Sequence, residues 1–178
     1  VGSNETTSPF IEQNFKDGMS LLETHLANRS YLFGERPSFA DFGLSAQIYE
    51  AWTDPTAGKI LQEMAPKTCE WHLRMLDPKD QGDFEEWSSL SATLTPFLRG
   101  PVRIFLTWSD ANAKAISAAA PDLSVELDGI AWSQSVGGPQ KYHAKSLGEL
   151  RRKFLEVGNV EKLTRLLEDT GCLKFLSS

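Results

Sequence analysis

The chain is short of the features that would place it in a specialised class. Its two cysteines, Cys69 and Cys172, stand far apart with no CxxC pair, which excludes a disulfide framework and a zinc knuckle. No apolar run approaches the ~20 residues that span a bilayer, and no basic-plus-apolar segment opens the sequence as a secretory signal would. The three histidines, His25, His72 and His143, form no HxxxH and no Cys/His cluster, so no metal site is indicated. There is no Gly-Lys-Ser/Thr phosphate loop, no internal repeat and no low-complexity tract. What remains is ordinary: 178 residues, 40% hydrophobic and 24% charged. A chain of that size buries roughly 70% of its unfolded surface without disulfide staples. It reads as a reduced, cytoplasmic, soluble protein with no membrane partner.

Positive charge is also scarce, and unevenly spread. The net charge is −6, from 18 basic and 24 acidic residues. Residues 1–139 hold 10 basic and 19 acidic side chains, whereas residues 140–178 hold 8 and 5. An acidic body repels phosphate backbones, so nucleic acid is not an expected partner. The first residue is valine, which points to a processed protein or to part of something longer.

Residues 1–8 are polar without periodicity and read as a loose tail. Pro9 then suits the first turn of a helix, and Ile11, Phe15, Met19, Leu22 and Leu26 form one apolar stripe up to Asn28. The second helix is expected over 38–53. Its apolar residues, including Phe39, Phe42, Leu44, Ile48, Tyr49 and Trp52, point in all directions, the pattern of a helix buried at the centre of a bundle. Asp54-Pro55 closes it, and a short helix over 59–64 follows. Pro66 starts a fourth, with Cys69, Leu73 and Leu76 inward and Trp71 and Met75 beside them. The acidic Asp77–Asp83 stretch, with its Pro and Gly, is the expected subdomain boundary. Next come a stripe of Phe84, Trp87, Leu90, Leu94 and Phe97 broken near Pro96, and a helix over 102–120. Leu123, Val125 and Leu127 alternate before Asp128-Gly129, and Ile130 and Trp132 follow. That is the signature of a β-hairpin. Two helices end the chain. The first covers 140–157, with Leu147, Leu150, Phe154 and Val157 on one face and His143 one turn earlier. The second covers 160–170, striped by Val160, Leu163, Leu166 and Leu167 and capped by Gly171.

The informative segment runs Tyr31-Leu32-Phe33-Gly34-Glu35-Arg36-Pro37-Ser38-Phe39-Ala40-Asp41-Phe42-Gly43-Leu44. Ser38 at the N-cap and Asp41 at N3 have the spacing of a capping box, in which each side chain takes the other's backbone N–H. A buried helix end leaves bare N–H groups and needs such a device. The four-residue pattern alone says little. Four matches to [ST]-x-x-[DE] occur in the chain, about as many as chance supplies.

The longer context resembles the C-terminal helical domain of cytosolic glutathione S-transferases. There a Tyr-Leu-Phe-Gly-Glu-Arg-Pro type of loop leads to a Ser-x-Ala-Asp turn that caps a buried helix. Ser38, Ala40 and Asp41 match position by position. Trp71 and Met75 ahead of Asp77-Pro78 look like the family's next helix and its terminating proline. The likeness covers roughly residues 9–76. Beyond it, the Phe105–Trp108 and Lys141–Lys145 segments are only loosely similar to C-terminal extensions of some large members.

The resemblance implies an all-α bundle of five to seven helices, with the hairpin near 123–133 as its one β element. Residues 9–76 would be the family-like core and 84–178 an extension packed on it. In the family, glutathione is held by an N-terminal thioredoxin-like domain. The helical domain supplies the wall facing the electrophile and much of the dimer contact. No Val-Pro turn, no acidic-Ser pair and no βαβ pattern precede Pro9, and the residues before it leave no room for the helix that usually bridges the two domains. The chain is therefore read as the second half of a two-domain protein. Its expected partners are its own thioredoxin-like domain and, in a homodimer, a second copy. Glutathione is the co-substrate of the whole and is not bound by this chain alone. The alternative is a non-enzymatic docking module of the same fold, with the basic end as a partner surface.

No residue is assigned a catalytic role, and Ser38 and Asp41 are expected to be structural. Tyr49 and Trp52 could line a pocket for an apolar substrate, although aromatics at helical spacing also serve as core. Lys141, Lys145 and Arg152 share one helical face and could form an anion or partner surface, or simply the solvated side of their helix. His143 reads as a core histidine, Cys69 as a buried inert thiol, and Gly137-Gly138-Pro139 as a plain loop rather than a phosphate cradle.

Overall fold

A computed structural model describes residues 3–134, 139–157 and 161–177. The fold is all-α with one small antiparallel hairpin, as expected. The chain divides into two compact units, Asn14–Phe97 and Val1–Gln13 with Leu98–Ser178.

The first unit is built from most of α1 (Ser8–Leu26), with α2 (Phe39–Thr53), α3 (Pro55–Met64), α4 (Pro66–Arg74) and α5 (Trp87–Phe97). Met19, Leu22 and Leu26 of α1 pack with Ile48, Leu61 and Trp71 in one core. Side chains of this size stabilise by about 1.5–3 kcal/mol each when fully buried. Asp54 both ends α2 and starts α3. Its Oδ1 accepts from the N–H groups of Thr56 (2.9 Å) and Ala57 (2.8 Å), with Pro55 at the first helical position. The third helix thus begins at once after the second, without the gap expected between residues 55 and 59.

Three inward faces differ from expectation. The second helix is not enclosed. Asp41, Ser45 and Ile48 are buried, yet Phe39 is 97% exposed, and Phe42 and Tyr49 also face outward. In α4, Leu73 (54% exposed) and Leu76 just beyond it point outward, while Thr68, Cys69, Trp71, His72 and Met75 are buried. The reason is polar: groups on other helices reach for Thr68, Trp71 and His72, and those bonds fix the helix rotation. Glu23 of α1 is one of them. Its Oε1 accepts from Lys67 N–H (2.9 Å) and its Oε2 from Thr68 N–H (2.9 Å). It thereby caps α4, whose own Ala65 offers no side-chain cap. Phe84, expected at the start of a helical stripe, instead makes an isolated bridge with Gly34.

That bridge ties down the Asp77–Asp83 stretch, which does not part the units. Glu35 N–H donates to Asp83 O (3.1 Å) and Glu85 N–H to Phe33 O (2.7 Å). Arg29 forks onto Glu85 through Nε (2.9 Å) and NH2 (3.1 Å). Gly34 permits the approach. Its φ is +124°, and a Cβ there would lie 2.8 Å from Asp83 O.

In the second unit, residues 4–8, expected in the tail, form a capped start to α1. Asn4 Oδ1 accepts from Thr6 and Thr7 N–H, and Thr7 Oγ1 accepts from Asn4 N–H. A π-helical turn (Leu98–Val102) leads into α6 (Arg103–Ser117), where Pro101 cannot supply a regular ladder donor. The hairpin is as expected: β1 (Leu123–Leu127) pairs with β2 (Ile130–Gln134), Leu127 opposite Ile130. Both loop residues are left-handed, Asp128 at φ 47° and Gly129 at φ 82°, the requirement of a two-residue I′ turn. α7 (Lys141–Glu156) packs on α6. Asn112, fully buried, holds its start, donating to Gln140 O (2.8 Å) and accepting from Gln140 N–H (2.6 Å). Of the α7 stripe, Leu147 is buried, Phe154 half-buried, and Leu150 and Val157 exposed. α8 (Glu161–Asp169) buries Leu167 and ends at Gly171 (φ 71°). Val160 lies outside the described residues.

Candidate functional site

The site is organised by Asp41. The Ser38–Asp41 capping box is present: Ser38 N–H donates to Asp41 Oδ2 (2.8 Å), and Asp41 N–H reaches Ser38 Oγ (3.4 Å). Ser38 Oγ–H also donates to Oδ2 (2.6 Å). The box is only half of what this carboxylate does. Its Oδ1 accepts from Leu32 N–H (2.8 Å) and from the Trp71 indole N–H (2.9 Å). Asp41 and Trp71 are both wholly buried. An isolated buried carboxylate would be strongly disfavoured, but four donors on two oxygens compensate for its desolvation. The same Leu32 peptide is gripped from its other side. His25 Nε2 donates to Leu32 O (2.7 Å), which leaves Nδ1 to accept from Thr93 Oγ1 (2.7 Å). Burial holds the His25 pKa below the ordinary histidine value. Asp41 and His25 together therefore fix the loop before α2, and with it the position of α2.

Towards the other end of α2, Ser45 Oγ lies 3.0 Å from His72 Nδ1. The two aromatic residues singled out in the sequence meet the same imidazole. Ring centroids are 6.0 Å apart for Tyr49 and His72 and 5.9 Å for Trp52 and His72. Trp52 is half-buried against the core, and Tyr49 stands at the surface. Outward from them, Phe42 and Phe39 continue an uncharged aromatic face along α2. Burial lowers the His72 pKa as well.

The other candidates scatter. Arg152 is engaged by Glu149 and Glu156 on its own helix. The hydrogen bonds it donates to Glu149 and Glu156 raise the Arg152 pKa, and Arg152 in turn lowers that of Glu149. Lys145 lies over the Tyr142 ring at 5.6 Å, and Lys141 is exposed at the start of α7. His143 is not a core residue. It is exposed, edge-on to Trp108 (5.1 Å) and Phe105 (6.0 Å), because its helix buries only the Leu147 line. Cys69 is buried with Sγ 3.6 Å from Leu61 O, and burial, then the Glu23 charge, pushes its thiol pKa up. A raised pKa opposes thiolate chemistry. Gly137 and Gly138 lie outside the described residues. Among the described residues no three His, Cys, Asp or Glu side chains are grouped to hold a metal ion, and no helix is long and apolar enough to cross a membrane.

Reading the sequence singled out Ser38, Asp41, Tyr49 and Trp52 but missed Ser45, His25 and His72. Those three carry no local signal, since their partners lie 27, 68 and 7 residues away.

Comparison with known families finds a match that includes the Ser38–Asp41 clasp. Residues 7–71 match the family described as glutathione S-transferase, C-terminal domain. No curated protein and no solved structure matches the chain.

Proposed function

We propose, from the match of residues 7–71 to the glutathione S-transferase C-terminal domain family, that the chain is the electrophile-side half of a glutathione-transferase-like protein. Domains of this family pair with a thioredoxin-like domain, which would bring glutathione as co-substrate. The helical half contributes no group to thiol activation. Its part is an apolar wall for a small hydrophobic electrophile, formed at Tyr49 and Trp52. The transfer step itself joins the glutathione sulfur to the electrophile, and the helical wall acts by positioning.

The observation that carries this reading is the family match centred on the Ser38–Asp41 clasp. The clasp fixes α2 so that Tyr49 and Trp52 stand at a defined place beside His72. A wall of this kind needs its rings held by packing and hydrogen bonds behind them, and Asp41, Ser45 and His72 do that.

The test is a fluorescence titration of the chain with an S-alkyl glutathione conjugate and with glutathione itself. The conjugate should bind weakly through its alkyl group, glutathione should not bind, and Tyr49→Ala should weaken the conjugate. Equal binding of both ligands, or no effect of Tyr49→Ala, would refute the assignment.

A docking module of the same fold is the second reading, favoured by the exposure of Phe39 and Phe42. It predicts that Phe39→Ser abolishes a protein contact while leaving ligand binding by Tyr49 and Trp52 intact.

A further inference from the structure

We infer that His72 is an acid-sensitive latch that holds the C-terminal half of α2 against α4. The argument is geometric. His72 is 3% exposed, between two helices. Among the described residues its only hydrogen bond is between Nδ1 and Ser45 Oγ, at 3.0 Å, and it makes no ion pair. From α2 it meets Ser45, Tyr49 and Trp52. Tyr49 is the one titratable side chain among them. Among the described residues no carboxylate or cation, from α1, α2 or α4, shifts its titration, and burial alone does so.

The neutral ring fits this place. Protonation adds a charge and makes both ring nitrogens donors, and among the described residues no hydrogen-bond acceptor meets Nε2. The two aromatic rings are tilted and about 6 Å away, at the outer limit for a cation–π contact. The charged form is therefore stable only when the ring reaches water.

The two ends of α2 would respond differently. Its first turn is bolted by the four donors to Asp41. Its last two turns rest on Ile48, the half-buried Ala51 and Trp52, and the His72 contact. Acid should thus loosen Ile48–Thr53 from α4 and leave the Ser38–Asp41 turn in place. The contrast with His25 supports the assignment. There both ring nitrogens face oxygen atoms, Leu32 O and Thr93 Oγ1, so what opposes protonation of His25 is burial of the charge and not an unpaired N–H.

Amide hydrogen exchange of the chain between pH 7.5 and 5.0, corrected for intrinsic rates, tests this. The opening constant for residues 48–53 should rise as pH falls below ~6.5, by at most about tenfold per pH unit, the linkage expected when opening exposes a normally titrating histidine. Residues 42–44 should change less than about twofold. His72→Gln, which keeps a hydrogen bond to Ser45 but cannot titrate, should abolish the effect. If that variant fails to fold, the His72 imidazole resonance in the wild-type chain decides. The inference is overturned if His72 ionises at an ordinary value with no change at residues 48–53. It is equally overturned if all amides of α2 respond together, or if His72→Gln retains the wild-type profile.

Discussion

Asp41→Asn is the substitution that probes the organisation of the first unit most sharply. It is nearly isosteric, so any loss comes from hydrogen bonding and not from a cavity. All four partners of the carboxylate are donors: Leu32 N–H and Trp71 Nε1–H on Oδ1, Ser38 N–H and Ser38 Oγ–H on Oδ2. An asparagine has one acceptor oxygen and one NH2. In its better orientation the oxygen faces Leu32 and Trp71, and the NH2 faces Ser38. Ser38 Oγ can rotate to accept, but Ser38 N–H then points at another donor. An orphaned buried N–H costs roughly 1–3 kcal/mol, and each of the two surviving bonds loses about 1 kcal/mol on passing from a charged to a neutral acceptor. The neutral amide is cheaper to bury than the carboxylate, which offsets part of this. The net expectation is a loss of about 2–4 kcal/mol. With a urea slope of about 2 kcal/mol/M, the unfolding midpoint should fall by roughly 1–2 M with the slope unchanged. Urea titration followed by tryptophan fluorescence measures this directly. A loss below about 1 kcal/mol would show that the four bonds contribute little, and that α2 is held by apolar contacts alone.

Three further outcomes follow from the same contacts. Glu23→Ala uncovers the N–H groups of Lys67 and Thr68 and should lower stability by about 1–2 kcal/mol in urea unfolding, the range of an ordinary N-cap loss. Gly34→Ala should cost about 2–3 kcal/mol, since an L-residue at φ +124° is strained and its Cβ meets Asp83 O at 2.8 Å; calorimetry of the variant checks this. For pH, His25 has a folded pKa lowered by burial, so the unfolded chain binds more protons once pH drops below ~6.5. His25 therefore contributes full stability above that value and loses it as pH falls towards the folded pKa. A His25→Gln variant should show a flatter fall in thermal midpoint between pH 7 and 5 than the wild type.

The parts of this fold that were legible in the sequence are those decided by near neighbours. Asp128-Gly129 between alternating strands sets the hairpin, because both left-handed loop positions are filled by residues that tolerate them. Ser38 and Asp41 set the cap three residues apart. The orientation of α2 was not legible. With apolar residues on every side, its sequence has no contrast from which a buried face could be read, and partners distant in the chain decide it. Trp71 reaches Asp41 across 30 residues and His72 reaches Ser45 across 27. The same partners turn α4 so that Thr68 and His72 go in and Leu73 and Leu76 come out, against the simple rule that leucine is buried and histidine is not. The candidate wall at Tyr49 and Trp52 was legible as residues but not as geometry, since its backing, Ser45 and His72, has no local signature.

The proposed division of labour between this chain and a thioredoxin-like domain is tested most directly by kinetics. Pure chain is mixed with glutathione and a chlorodinitrobenzene electrophile, and the initial rate of thioether formation is compared with that of buffer alone. The account predicts no acceleration by the chain, and acceleration once a thioredoxin-like domain is joined ahead of it. Turnover by the chain on its own would contradict it, because thiol activation would then reside in the helices.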